Sequence, residues 1–254
     1  MMKRLGQSLV FLFLSSFLLL NSSGLSWATE AVDNSLYGDL LGKYVKDGVV
    51  DYQGFKDEET RLDAYLKALE QTDTSKLSGD EQLAFYINTY NATTIKLILS
   101  AYPDIKSIWD LGSRFFNKPF DKEIVSIEGK TISLDDLEHG IIRPRFKEPR
   151  VHFAVNCASK SCPPIISEPY EGNTLDQQLT AVTRAFLNNP EKNYLDGKKL
   201  YASKIFKWFK EDFDDDVVGF FIKFVDEELK EKLAANRDKI KVKYLDYDWS
   251  LNGK

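Results

Sequence analysis

The stretch from Ser78 to Tyr102 constrains the fold most, because residues that start and stop a helix mark both of its ends. Ser78 and Glu81 have the spacing of a capping box, in which each side chain binds the backbone amide of the other residue. Pro103 disfavours helical geometry at the residue before it. Apolar residues recur at helical spacing in between, so we predict one long helix that ends near Tyr102.

The long helix carries two stripes of different character. One is polar and is predicted to face solvent: Gln82, Thr89, Thr93, Lys96 and Ser100. The other is apolar at both ends but contains Asn88 and Asn91. A buried polar group without a hydrogen-bond partner costs roughly 1–3 kcal/mol. We therefore expect a polar segment to pack against both asparagines, which either tie the helix to a loop or line a cleft.

The rest of the chain alternates short helices with turns and strands. Predicted helices cover residues 35–45, 58–71, 134–142, 174–187, 203–209 and 217–233. Hairpins are predicted at Glu128-Gly129 and Asp196-Gly197, and further strands at 151–156 and 240–247. The pattern predicts a single α+β domain that is helix-rich, with a small, mostly antiparallel sheet and two β-hairpins.

The first 28 residues have the three parts of a secretory signal peptide. Lys3 and Arg4 are basic, residues 9–20 are apolar, and Ser26 and Ala28 supply the small side chains that a cleavage site requires. The apolar core is about a dozen residues long, which is too short to cross roughly 30 Å of hydrocarbon. We predict cleavage after Ala28, export to the periplasm or secretion, and no stable membrane insertion.

Removing 28 of 254 residues leaves 226, the length of one domain with one good-sized core. The removed segment carries two basic and no acidic residues, so the net charge changes from −5 to −7. An acidic balance argues against a nucleic-acid-binding protein. We predict one globular domain over residues 29–254 that takes a small-molecule or peptide ligand and uses no cofactor.

Residues 151–164 hold both cysteines and one of the two histidines of the chain. Three interpretations of this stretch remain open. In the first, Cys157 and Cys162 form a disulfide, because an exported protein meets an oxidising compartment and the number of cysteines is even. A disulfide that closes so short a loop mainly fixes its local shape.

The second interpretation is thiol catalysis with Cys157 as the nucleophile, which needs a base and a group that orients the base. His152 lies five residues before Cys157 on the predicted strand, so the two side chains should point to opposite faces. His139 is therefore the predicted base, with Glu138 or an asparagine as its orienting group. The candidate catalytic residues are Cys157, His139, Asn88, Asn91 and Glu138, with an asparagine amide donating to the oxyanion.

Arg143 and His152 are the candidate substrate-binding residues. Arg143 lies one helical turn after His139, where it is predicted to pair with Glu138 or with a substrate carboxylate.

The third interpretation is a structural zinc ion on His139, His152, Cys157 and Cys162, which are suitable ligands. Because the two histidines do not form a tight pair, this interpretation is the least favoured and we predict no metal.

Five motifs in order resemble the domain of unknown function 547 family: residues 85–92, 137–143, 152–157 with 162–164, 203–208, and 247–252. The resemblance covers the chain from about Val50 to the end, with a core at about 50–252, and implies an exported bacterial member. The family pattern marks Asn88, Asn91, His139, Arg143, His152, Cys157 and Cys162. Tyr86 stands where a tryptophan is frequent. The resemblance implies no activity, because the family has no established function.

Two functions fit these residues. One is an exported protein with a polar cleft of cysteine, histidine and asparagine, acting as a thiol-dependent hydrolase or acyl transferase on amide- or peptide-type substrates. The alternative is a non-catalytic envelope domain that binds a ligand or partner and contains a structural disulfide between Cys157 and Cys162.

Overall fold

The computed structural model describes residues 32–112 and 116–254, so the predicted signal peptide lies outside the described residues. The α-helices of this part are α1 Ser35–Tyr44, α2 Tyr52–Asp57, α3 Glu59–Glu70, α4 Gly79–Leu99, α5 Arg143–Phe146, α6 Leu175–Leu187, α7 Ile205–Trp208, α8 Val217–Phe224 and α9 Glu227–Ala235. The strands are β1 Val45–Lys46, β2 Val49–Val50, β3 Glu123–Ile127, β4 Lys130–Ser133, β5 Tyr194–Asp196, β6 Lys199–Ala202 and β7 Lys241–Tyr244.

The strands form three small sheets. β1 with β2 and β3 with β4 are antiparallel hairpins, and the second of these turns at Glu128-Gly129 as predicted. β5 and β6 pair antiparallel around Asp196-Gly197, and β7 runs parallel to β6 with Val242 beside Leu200. The prediction of a single, helix-rich α+β domain with small, mostly antiparallel sheets is confirmed.

Helix α4 begins at the predicted capping box, with the Ser78 side chain on the Glu81 amide and the Glu81 side chain on the Ser78 amide. The predicted solvent-facing stripe is wrong for Gln82, Thr89 and Thr93, which are buried, whereas Lys96 is half-buried and Ser100 is exposed. Helices α2, α3 and α6 and strand β3 pack around α4. Burial of these polar groups is tolerated where they find partners: Gln82 Nε2 donates to the Leu77 carbonyl at 2.9 Å and the Thr89 hydroxyl to the Phe85 carbonyl at 2.8 Å.

The predicted strand at residues 151–156 is wrong. Pro149–Phe153 form a 3₁₀ turn, which Glu148 caps by accepting a hydrogen bond from the Arg150 amide. Val151, His152 and Phe153 are all buried in this turn. Alternation of apolar and polar residues distinguishes two faces only when one face meets solvent, and here neither does.

Two predicted helices have different forms in the structure. The helix predicted at 134–142 is a π-helix, Asp136–Ile142, which continues through Pro144 as α5. Pro144 lies in the first turn of α5, where a missing N–H costs little. The helix predicted at 217–233 is divided into α8 and α9, because Val225 adopts an extended conformation.

Buried apolar side chains form two clusters. The larger surrounds α4 and includes Val151 and Val155, whereas the smaller is rich in phenylalanine and includes Phe153. The Phe153 ring packs against Phe186 and Phe206, with centroids 5.2 and 5.7 Å away. The 3₁₀ turn therefore joins the two clusters, and the candidate site lies beside it.

Candidate functional site

A cleft of about 220 Å³ opens beside the 3₁₀ turn, where the two apolar clusters meet. Its aromatic lining consists of Tyr90, Trp109, Phe120, Trp208, Phe209, Tyr247 and Trp249. Its chemically reactive and charged lining consists of Lys118, Asp121, Asp135, Glu138, His139, His152, Cys157 and Cys162. All three tryptophans of the described ranges thus line one cleft, together with both histidines and both cysteines.

Cys157 and Cys162 are bonded to each other, with Cα atoms 6.1 Å apart, and neither is a free thiol. Cys162 is buried and Cys157 is half-buried. The Cys157 amide donates to Cys162 Sγ at 2.8 Å, and Cys157 Sγ lies 3.3 Å from the Tyr247 hydroxyl. The structure thus has the disulfide of the first interpretation, at the wall of the cleft.

Asn156 organises the loop that this disulfide closes. Its side chain donates to the Pro163 carbonyl at 2.8 Å and accepts hydrogen bonds from the Ala158 amide at 2.9 Å and from Asn252 Nδ2 at 3.1 Å. These contacts hold Ala158 at a φ of +56°, a left-handed conformation that is uncommon for a residue with a Cβ atom. The loop shape is therefore fixed by several bonds besides the disulfide.

The C-terminal segment pairs with the same loop. The Lys160 amide donates to the Ser250 carbonyl at 2.8 Å, and the Ser161 amide to the Asp248 carbonyl at 3.1 Å. This pairing brings Tyr247 and Trp249 against the cleft, although they lie about 90 residues from the cysteines in sequence.

Asn88 and Asn91 bind backbone groups and do not line the cleft. Asn91 Nδ2 donates to the Ala154 carbonyl at 2.9 Å, and its Oδ1 accepts from the Asn156 amide at 2.8 Å. Asn88 makes the same pair of bonds to Tyr170, at 2.8 and 2.9 Å. Asn91 therefore ties α4 to the segment that leads into the cysteine loop, as expected, and both amides are occupied.

Glu138 and His139 lie side by side in the π-helix, a rare form that is frequent at functional sites. At the start of this helix, the side chains of Ser133 and Asp136 each accept a hydrogen bond from the other residue's backbone amide. Glu138 is 9% exposed, whereas His139 is exposed. The π-helix therefore supplies a buried carboxylate to the cleft and an imidazole near its opening.

His152 is buried between two carboxylates. Its Nε2 lies 2.6 Å from Asp212 Oδ2 and its Nδ1 lies 3.8 Å from Glu138 Oε1, while Phe209 stacks on its ring at 4.0 Å. The expectation that His152 and Cys157 face opposite ways depended on the absent strand and is wrong, since both line the cleft.

Asp212 is a site residue that the sequence analysis missed. It also binds Arg143, whose Nε lies 2.6 Å from Oδ2. Burial raises the pKa of Asp212, but hydrogen bonds from His152 and Arg143 lower it by more, so the pKa lies well below its usual range. Asp212 stands in an acidic run with Glu211 and residues 214–216, so no local pattern distinguishes it.

Arg143 binds Asp212 and Glu211, so the predicted pairing with Glu138 is wrong. It lies outside the aromatic cleft, in a neighbouring groove. Its Nη1 is also 2.6 Å from His139 Nδ1. A guanidinium only donates hydrogen bonds, so His139 Nδ1 is the acceptor and Nε2, 3.7 Å from Asp135, carries the proton of the neutral ring.

The four residues considered as zinc ligands do not form a ligand set. Within residues 32–112 and 116–254, no three histidine, cysteine, aspartate or glutamate side chains are grouped as a metal ion requires. In the same ranges, no helix has both the length and the apolar character needed to span a bilayer.

Comparison with known proteins found one family. The model of the family described as "Protein of unknown function, DUF547" matches residues 74–187. The comparisons with curated proteins and with solved structures found no match. The matched region contains α4, the π-helix, the 3₁₀ turn and the cysteine loop, whereas Trp208, Asp212, Tyr247 and Trp249 follow it in the chain.

Proposed function

The chain belongs to the DUF547 family of proteins of unknown function, and from this premise we propose that it is an exported domain that binds a small ligand in the aromatic cleft. In this proposal the bond between Cys157 and Cys162 is structural and holds one wall of the cleft. Export follows from the signal-peptide pattern of residues 1–28.

The observation that carries this proposal is the concentration of aromatic rings around one concave surface. Trp208 is 45% exposed although it packs against Tyr247 and Trp249. Exposed aromatic groups that are contiguous with a cavity are typical of binding sites, since a ligand recovers the free energy of removing them from water. A few polar groups, above all Glu138 and His152, give the cleft the means to select a ligand.

We expect ligands of the cleft to shift the indole N–H resonances of Trp109, Trp208 and Trp249 in a nitrogen–proton NMR spectrum. These indoles all border the cleft, so they report on its occupation directly. A library of small cationic, anionic, sugar and aromatic fragments is added to the mature protein, residues 29–254, and saturable shifts are followed.

A matched control is the Trp208→Leu variant, which keeps an apolar side chain at the opening but removes a ring face. Fragments that bind in the cleft should bind this variant at least about threefold more weakly, a loss of about 0.6 kcal/mol, near the lower end for one aromatic contact. If no fragment shifts any of the three indoles, or if every shift is the same in the variant, the cleft is not a binding site.

Thiol catalysis is the second candidate, because Cys157, His139, His152 and Glu138 line the same cleft. Reduction of the disulfide by an external dithiol would leave two thiols and oxidise that dithiol. The Cys157 thiolate would then attack an amide carbonyl and release an amine, and water would hydrolyse the thioester. A histidine would carry the proton from the thiol to the leaving amine.

Alkylation with iodoacetamide followed by mass spectrometry separates the two functions. For the binding domain we expect no labelled cysteine in protein purified from the oxidising compartment, and two after reduction, because both sulfurs are bonded. One cysteine that is labelled without reduction, with a labelling rate that titrates well below the usual thiol pKa of about 8.5, would contradict the structural role and favour the hydrolase.

A further inference from the structure

We propose that the ligand of the aromatic cleft is a small organic cation, with a quaternary or tertiary ammonium head group. This inference rests on the proposed binding function and specifies the class of ligand. Four features carry it: the arrangement of the rings, the buried carboxylate of Glu138, the balance of the other charges that line the cleft, and the size of the cleft.

The rings form tilted walls. The planes of Trp208 and Tyr247 meet at 55° with centroids 4.7 Å apart, and those of Tyr247 and Trp249 at 49°, also 4.7 Å apart. Rings inclined in this way line a concave surface from several directions. The face of an aromatic ring attracts a cation within about 6 Å of its centroid, and tryptophan does so most strongly.

Glu138 supplies a buried negative charge. It is 9% exposed and lines the cleft, and its ion-pair partner among the described residues is His152, with Nδ1 3.8 Å from Oε1. The opposite nitrogen, Nε2, lies 2.6 Å from Asp212. When His152 is neutral, the proton is on Nε2, which donates to Asp212, and Nδ1 presents a lone pair toward Glu138. The carboxylate of Glu138 then has a hydrogen bond from the Tyr90 hydroxyl but no positively charged partner among the described residues, so its charge favours a cationic ligand.

The charges that line the cleft are negative in balance. Asp121 lies 3.6 Å from the ammonium of Lys118, and Asp135 lies 3.7 Å from His139 Nε2. With Glu138, three carboxylates line the cleft against one lysine. A neutral histidine leaves Asp135 uncompensated as well, so the cleft as a whole attracts cations and repels anions.

The size of the cleft limits the occupant. Its volume of about 220 Å³ is below the roughly 300–1,000 Å³ of pockets for drug-sized ligands. A compact head group fits such a space, whereas an extended peptide or oligosaccharide does not. An apolar neutral molecule of the same size would bury Glu138 further without pairing its charge, which is unfavourable.

The test compares choline with 3,3-dimethyl-1-butanol, which has the same shape but a carbon atom in place of the nitrogen. Binding to the mature protein is measured by titrating the indole resonances and tryptophan fluorescence. We expect choline to bind at least tenfold more tightly. Equal affinities of the two compounds would overturn the cationic specificity and leave the binding function standing. Binding of another fragment, when choline does not bind, would have the same two consequences. Absence of binding by both compounds and by all other fragments would refute the two proposals together.

Two changes to the protein test the mechanism of selection. Glu138→Gln should lower the choline preference over its neutral analogue at least fivefold, whereas Glu211→Gln, at an exposed carboxylate outside the cleft, should leave it unchanged. Thermal unfolding of each variant confirms that it is folded.

Replacement of tryptophan by mono-, di- and trifluorinated analogues should weaken choline binding progressively, because fluorine withdraws charge from the ring face. A preference that neither change reduces would overturn the inference.

Discussion

Replacing Asn91 by alanine is expected to lower the free energy of unfolding by about 2–5 kcal/mol, because two buried backbone groups lose their partners. Asn91 is 3% exposed and binds the Ala154 carbonyl and the Asn156 amide at 2.9 and 2.8 Å. Nothing else of α4 reaches these groups in the hydrogen-bond pattern, and a methyl side chain can replace neither bond. Urea denaturation at neutral pH, followed by far-ultraviolet circular dichroism, measures the change.

The matched control is Asn173→Ala, which makes the same substitution at an exposed position and is expected to change stability by less than about 0.5 kcal/mol. Since Asn91 ties α4 to the segment before Cys157, the variant should also weaken ligand binding in the cleft. Equal stability of the two variants would show that Asn91 does not hold this segment.

Replacing Asp212 by asparagine is expected to cost about 2 kcal/mol at pH 7, less than the roughly 3–5 kcal/mol lost when a fully buried ion pair is broken, because Asp212 is half-buried. Asp212 accepts hydrogen bonds from both His152 and Arg143, and the His152 side chain is 1% exposed. Asparagine keeps the shape of the side chain but not its charge. The positive charge of Arg143 then retains only the exposed Glu211 as a partner.

The cost should depend on pH with a defined sign. The folded protein lowers the pKa of Asp212, because the hydrogen bonds from His152 and Arg143 outweigh the effect of burial. A lowered folded pKa stabilises the protein above the unfolded pKa of about 3.9, and the contribution is lost as pH falls from there through the folded value. The stability difference between wild type and Asp212→Asn should therefore shrink as pH falls below about 4.

Urea denaturation of both proteins between pH 2.5 and 7 measures this dependence, with Asp238→Asn as the control at an exposed carboxylate. The control should differ from wild type by less than about 0.5 kcal/mol over the whole range. A difference for Asp212→Asn that grows as pH falls below about 4 would contradict the assigned network.

The features that sequence analysis predicted correctly are those with local causes. Ser78 and Glu81 lie three residues apart, and their reciprocal bonds start α4 whatever packs around it. Glu128-Gly129 and Asp196-Gly197 reverse the chain within a few residues because the glycines tolerate positive φ values, 72° and 56° here. The disulfide was one of three interpretations left open for the cysteines, which are only five residues apart.

The sequence by itself therefore determined most of the helices, the hairpins at Glu128-Gly129 and Asp196-Gly197, and the segment that carries the cysteines. Only the tertiary structure decided the backbone conformation of residues 149–153 and which side chains line the cleft. Because residues 151–153 are buried on all sides, the alternation of polar and apolar residues does not distinguish a strand from a 3₁₀ turn there. Asp212, the partner of His152, lies 60 residues away in the sequence. The rings of Trp109, Trp208 and Trp249 meet because two apolar clusters fold against each other, and such long-range packing leaves no mark in local spacing.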